Sequence, residues 1–132
     1  MEGGMITRLQ GRSLARPATP HDLLRAGLEL HPDRPALIAA TGRRTFDEAD
    51  RMSSRLAASL LALGLRPGDR VASLMPNRPA LIVHYLACFK AGLVATPLNY
   101  RYTATEIDHA LAVSDASALL VHAERIDGLA AR

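Results

Sequence analysis

The 132 residues are 48% apolar and 22% charged, enough chain for one folded domain with its own core and unlike a disordered polymer. The net charge of +3 rests on arginines interleaved with acids, as in Asp47-Glu48-Ala49-Asp50-Arg51, whereas a nucleic-acid partner calls for a basic stripe with aromatics. Cys88 is the only cysteine, which excludes an internal disulfide, and no run has the apolar length of a membrane span; a cytoplasmic location is expected.

Residues 1–20 carry Arg8, Arg12 and Arg16 against one acid, Glu2, and read as a flexible leader with a short ordered piece around Met5 to Leu9. The folded unit is expected over 21–132. Leu23, Leu24, Leu28 and Leu30 share one side of a first helix that His31-Pro32 ends, although Gly27 inside it opposes helix formation. Pro35 to Ala40 and Arg44 to Phe46 flank a Thr41-Gly42-Arg43 turn and read as a hairpin.

Thr45-Phe46-Asp47-Glu48 has the spacing of a capping box, in which hydroxyl and carboxylate each satisfy an orphan N–H of the helix that follows. Ala49, Met52, Leu56, Leu60 and Leu63 give that helix an apolar stripe, Asp50, Arg51 and Arg55 turn to water, and Gly64 stops it. Val71 to Met75 lacks polar alternation and predicts a strand covered on both faces. Asn77 is placed to cap a buried helix over Leu81 to Lys90, with Pro79 in its first turn and Gly92 after its end. Leu93 to Thr96 is a further covered strand closed by Pro97. Thr103-Ala104-Thr105-Glu106 repeats the capping box, Ile107, Ala110, Leu111 and Ser114 form the next buried stripe, and Ser117 to Val121 is the last strand.

Strand, helix, strand, helix, strand from 70 to 122 requires two crossovers and hence a parallel sheet. The expected fold is α/β: three layers, a mainly parallel sheet flanked by helices, with an N-terminal β-hairpin. Ligands of such sheets bind beyond the carboxyl ends of the strands. Here those ends are Pro76-Asn77, Pro97 to Arg101 and His122 to Arg125.

Chemistry is sparse. Neither Gly-x-Gly-x-x-Gly nor Gly-x-x-x-x-Gly-Lys occurs, so the usual glycine cradles for phosphates are absent from the sequence. His21, His31, His84, His109 and His122 lack metal-ligand spacing, and His84 reads as a satisfied core or interface histidine. Cys88 has no helix N-terminus or basic neighbour to lower its pKa, Ser73 and Ser117 have no nucleophile elbow, and Lys90 reads as a surface residue at a helix end. No catalytic or metal residue is assigned.

Six phrases in order carry a resemblance: Thr45-Phe46-Asp47-Glu48; Leu63-Gly64-Leu65-Arg66-Pro67-Gly68-Asp69-Arg70-Val71-Ala72; Met75-Pro76-Asn77; Ala91-Gly92-Leu93-Val94; Pro97-Leu98-Asn99-Tyr100-Arg101; and Glu106-Ile107. In these the chain resembles the opening of the large N-terminal domain of acyl-CoA synthetases, within the AMP-dependent, adenylate-forming ligase superfamily. Ala49, Ala80 and Tyr100 depart from the usual residues, Tyr100 in the manner of fatty-acyl and aryl-acyl ligases.

The resemblance implies an enzyme that activates a carboxylic acid as its acyl-adenylate with ATP and Mg and then forms a thioester with coenzyme A. It also implies that 21–132 is a partial N-terminal subdomain. The family's ATP loop, adenine motif and catalytic lysine cannot be mapped here, so this polypeptide alone is expected to bind no cofactor and to be inactive. Its expected partner is the C-terminal remainder of the ligase. Without that remainder, an apolar face centred on Leu81 to Phe89 is expected to promote self-association. Asn99, Arg101 and Arg125 are candidates for the coenzyme A side. The alternatives are a non-catalytic binding or assembly module, or the same segment of a peptide-synthetase adenylation domain.

Overall fold

The computed structural model describes residues 8–9, 12–13 and 20–129. Arg8–Leu9 (β1) pairs antiparallel with Arg12–Ser13 (β2). The remainder of the ordered piece expected from Met5, and most of the expected leader, lie outside the described residues.

Pro20–Leu30 forms α1, whose end is closed by the His31 N–H donating to the Gly27 carbonyl at 2.8 Å. Leu24 is buried, whereas Leu30 is exposed, so the apolar side of α1 ends a turn earlier than its leucine pattern suggests. Pro35–Ala39 (β3) and Gly42–Thr45 (β4) make the hairpin, with Ile38 opposite Arg43, Ala39 opposite Gly42 and a bulge between Pro35 and Leu37. Its turn is tighter than expected and falls on Ala40 and Thr41. Gly42, at φ 134°, supplies the backbone angle that returns the chain.

Phe46, expected at a strand end, instead opens α2, Phe46–Ala62. The capping box explains the switch: the Thr45 hydroxyl accepts from Glu48 N at 3.1 Å while the Glu48 carboxylate accepts from Thr45 N at 2.8 Å. The buried face of α2 is Ala49, Ser53, Ala57 and Leu60, with Met52 and Leu56 half-buried and Leu63 exposed. Of the stripe's leucines only Leu60 is buried, and the small residues Ala49, Ser53 and Ala57 make up the rest of the face. Ser53 is tolerated there because its hydroxyl donates to the Ala49 carbonyl at 2.7 Å.

Arg70–Leu74 (β5), Pro79–Ala91 (α3), Val94–Pro97 (β6), Ala104–Ser114 (α4) and Ala118–Val121 (β7) follow. Both β6 and β7 pair parallel to β5, in the order β6-β5-β7. The first crossover therefore runs to one side of β5 and the second passes back beyond it. Right-handedness of both places α3 and α4 on opposite faces, giving the layered α/β architecture expected. Val71, Ala72 and Leu74 are fully buried, as a central parallel strand requires. One core joins Val71 and Leu93 to Ala57 and Leu60 of α2 and to Ala87, Cys88 and Ala91 of α3.

Three local expectations change. The N-cap of α3 is Arg78 rather than Asn77, and its side chain makes no capping bond; Pro79 supplies the start instead. Lys90 is no surface residue: its ammonium donates to Asp50 Oδ1 at 2.7 Å, the Asp50 carbonyl at 2.9 Å and Ser54 Oγ at 2.9 Å, clamping α3 to α2. Asp50 accordingly turns toward α3 and not to water.

After α3, Gly92 takes the left-handed conformation at φ 70°, with its N–H bonded to the Cys88 carbonyl. Thr103 and Glu106 complete the second capping box, and the two Thr103 bonds hold the Glu106 carboxyl below the usual carboxylate range.

Candidate functional site

The carboxyl ends of the three parallel strands stand side by side, which brings three loops that are distant in sequence to one edge. Two backbone bonds set their spacing: Leu98 N donates to the Ser73 carbonyl at 2.8 Å and His122 N to the Leu74 carbonyl at 3.1 Å. The loops after β6 and β7 are thereby anchored to the end of β5.

The β6–α4 loop holds two of the candidates named from sequence. Asn99 Oδ1 accepts from Arg101 N at 3.0 Å and the Asn99 carbonyl accepts from Tyr102 N at 3.0 Å, a local turn of the kind asparagine side chains favour. Arg101 is exposed. Its Nε donates to the Tyr100 hydroxyl at 3.2 Å and its guanidinium carbon lies 5.6 Å from the Tyr100 ring centroid. The same hydroxyl raises the already high pKa of Arg101, so the charge is permanent. This contact spreads the guanidinium over an aromatic plane and uses one of its five N–H groups, leaving a donor fork for an anion.

Arg125 is placed differently. It lies in the short 3-10 turn Ala123–Arg125 that precedes α5, Ile126–Leu129. Its Nη2 donates to the Tyr102 carbonyl at 2.7 Å, while its buried Nε has no partner among the described residues. Beside it, Glu124 Oε1 accepts from Arg78 Nη2 at 2.6 Å, tying the β7 turn to the β5–α3 loop. His122 Nδ1 accepts from Glu124 N at 3.3 Å and caps the turn. Asn99, Arg101 and Arg125 therefore share one edge, but Arg125 is engaged with the backbone that Arg101 belongs to.

Two side-chain links across the edge, Arg78–Glu124 and Arg125–Tyr102, escape sequence reasoning. They join positions 46 and 23 residues apart, and no motif marks them. Strand order is the one signal that could have found them, since it alone makes the three loops neighbours.

Next to this edge, a groove of about 220 Å³ runs between β3 and the start of α3, with Leu37, Ile38, Pro79, Leu81 and Ile82 as its apolar walls and Arg78 in its lining.

Below the edge, His84 and Cys88 are fully buried, with His84 Nδ1 3.8 Å from Cys88 Sγ. Burial lowers the His84 pKa and pushes the Cys88 thiol up to about 11, so both are neutral near pH 7 and no thiolate–imidazolium pair forms. His84 is not the satisfied histidine expected, because Nε2 has no partner among the described residues; Ser73 Oγ is likewise alone. Among the described residues no three His, Cys, Asp or Glu side chains converge to hold a metal ion. None of the described helices is long and apolar enough to cross a membrane.

A wound parallel sheet flanked by helices, with three loops gathered at the carboxyl ends of its strands, is an α/β unit of the doubly wound kind, a class whose ligands bind beyond the strand ends. The chain belongs to the AMP-binding enzyme family, whose model matches residues 24–132. It is 51% identical over 90 residues to a feruloyl-CoA synthase of an Amycolatopsis species, covering 66% of this chain and 18% of that protein. It is 38% identical over 102 residues to the phosphinothricin tripeptide synthetase PhsC of Streptomyces viridochromogenes, covering 77% of this chain and 9% of that protein. Among solved structures, a long-chain-fatty-acid CoA ligase from Rhodopseudomonas palustris superposes with a TM-score of 0.79 at 32% identity, over 86% of this chain and 29% of that one. The chain thus spans less than a third of each of these relatives.

Proposed function

We propose that the chain is the opening segment of an acyl-CoA synthetase acting in the cytoplasm. The complete enzyme would join a carboxylate to the AMP moiety of ATP with release of pyrophosphate, and then pass the acyl group to the thiol of coenzyme A with release of AMP. The observation that carries this reading is the 51% identity to feruloyl-CoA synthase, above the 38% to the tripeptide synthetase.

The segment's own residues suit it to a limited part in that chemistry. The sequence has no Ser/Thr/Gly loop ending in Lys-Gly, and no described carboxylates converge on a metal, so ATP and Mg fall to the remainder of the ligase. Transition-state charge on a transferring phosphate needs such groups close by. Coenzyme A fits better: Arg101 presents a permanent, exposed charge beyond the end of β6, suited to one of its phosphates. Asn99 shapes the turn that presents it.

The test has two parts. The 132-residue chain alone, given ATP and mixed fatty and aromatic acids, releases no pyrophosphate; turnover would refute its scaffold role. In the complete ligase, Arg101→Ala raises the KM for coenzyme A and spares that for ATP, and an unchanged KM for coenzyme A would end the Arg101 assignment.

A second reading is an adenylation segment that loads a carrier protein, favoured by the match to the tripeptide synthetase over 77% of this chain. Acyl transfer to a carrier protein and not to coenzyme A would select it. We also propose that the isolated chain self-associates through α3. Ile82 and Phe89 are exposed there at 39% and 41%, and Ile38 of the neighbouring hairpin is 71% exposed.

A further inference from the structure

We propose that Arg125 is a positioning residue: it acts on coenzyme A binding through the β6–α4 loop that carries Arg101, without touching the coenzyme. The inference rests on the coenzyme A reading of Arg101 given above. The loop is anchored at its start, where Leu98 N donates to the Ser73 carbonyl at 2.8 Å, and at Tyr102, whose carbonyl accepts from Arg125 Nη2 at 2.7 Å. Tyr102 follows Arg101 directly and its N–H closes the Asn99 turn at 3.0 Å. A tether on the Tyr102 carbonyl therefore fixes the Tyr102–Thr103 peptide plane, one residue beyond the peptide that follows Arg101.

The tether joins the two outer loops of the edge. Arg125 follows β7, the loop follows β6, and β5 lies between those strands, which stand two strand spacings apart, about 10 Å. A long side chain is needed, and the charge strengthens a bond to a neutral carbonyl. Arg125 is itself held at its base, because the adjacent Glu124 takes the Arg78 guanidinium at 2.6 Å. Arg78, Glu124, Arg125 and Tyr102 thus form one chain of contacts across all three strand ends, and Arg101 stands at its free end. A direct contact with ligand would call for an exposed fork like that of Arg101. Arg125 has instead committed one arm to backbone and buried its Nε.

The experiment is a set of variants in the complete ligase: Arg101→Ala, Arg125→Gln, Arg125→Lys and the Arg101→Ala/Arg125→Gln double variant. The KM for coenzyme A, kcat, thermal midpoint and hydrogen exchange over residues 98–106 are measured for each. Arg125→Gln is too short to bridge the strands and should raise the KM for coenzyme A about tenfold with faster exchange in the loop. Arg125→Lys keeps one long donor and should recover most of the loss. The decisive number is the double variant: if Arg125 works only through Arg101, its loss adds little once Arg101 is gone.

An Arg101→Ala enzyme with unchanged KM defeats the coenzyme A reading itself. A raised KM in Arg101→Ala together with a normal Arg125→Gln overturns this inference alone. Additive losses overturn it too, in favour of direct contact, or of general destabilisation when the thermal midpoint falls in parallel.

Discussion

Gly27→Ala is the sharpest stability test, because local and tertiary effects oppose each other. Gly27 lies inside α1, where alanine is favoured over glycine by about 1 kcal/mol from helix propensity. A Cβ at this position would fall within the ring of Phe46, with Cε1, Cδ1 and Cζ its nearest atoms. The ring has little freedom to retreat by moving its backbone. Phe46 N is bonded to the Arg34 carbonyl and Asp47 N to the Pro32 carbonyl, both at 3.0 Å.

Two responses remain. The helices move apart, an overpacking cost of about 1 to 3 kcal/mol. Alternatively the half-buried ring swings outward and forfeits part of the roughly 1.5 to 3 kcal/mol its burial supplies. Set against the propensity gain of about 1 kcal/mol, the net effect is a loss of between about 0 and 2 kcal/mol. Urea unfolding followed by circular dichroism should show a lower midpoint with an unchanged slope. In a Phe46→Leu background the same Gly27→Ala change should become neutral or stabilising. A higher midpoint for Gly27→Ala with Phe46 present would refute the packing argument.

Lys90→Met keeps the apolar stem but strands the half-buried Asp50 and the Ser54 hydroxyl, and denaturant unfolding should show a loss of about 1 to 2 kcal/mol. Burial lowers the His84 pKa, so the unfolded chain takes up the proton first; stability is full above 6.5 and falls as pH drops below it. His84→Leu, which also removes the unpaired Nε2, should flatten that acid limb in a pH series of unfolding midpoints. Cys88 is shifted the other way, from 9.0 to about 11, so its contribution is whole below pH 9 and is lost as pH rises through about 11. Iodoacetamide at pH 8 should accordingly modify native Cys88 only as fast as the chain opens, and rapid labelling without unfolding would contradict its burial. Light scattering of the 132-residue chain should show a rising mean mass with concentration, reduced by Ile82→Glu/Phe89→Glu; a clean monomer at high concentration would contradict the exposed α3 face.

Elements written in local chemistry are the ones that could be read without coordinates. Thr45 with Glu48 and Thr103 with Glu106 bond across three residues, and Gly92 ends α3 through its own backbone angle, so each signal lies within one turn of its effect. The boundaries that shifted did so where two signals met, as at Phe46, which suits a strand by composition but follows a helix cap. The faces of helices were less legible. Leucines mark an apolar stripe on α2, yet of these only Leu60 is buried, and the small residues Ala49, Ser53 and Ala57 complete the buried face. Gly27 opposes α1 by propensity, yet the Phe46 ring occupies the space its Cβ would need.

At the candidate site the same division holds. Pro97 ends a strand, and ligands of parallel sheets gather beyond the strands' carboxyl ends, so the place of Asn99 and Arg101 at that edge could be read from sequence alone. The tether of Arg125 to Tyr102 and the Arg78–Glu124 pair could not.

By itself the amino-acid order determined the caps, the stops, the alternation of strand and helix and, through two crossovers, a parallel sheet. Tertiary structure decided which small residues line the buried face of α2, why Lys90 is pinned on Asp50, and which arginine stays exposed and which is tied across the edge. The reason is range: caps and periodicities act within four residues, whereas these contacts exist only once β5 has taken the centre of the sheet and drawn three distant loops to one edge.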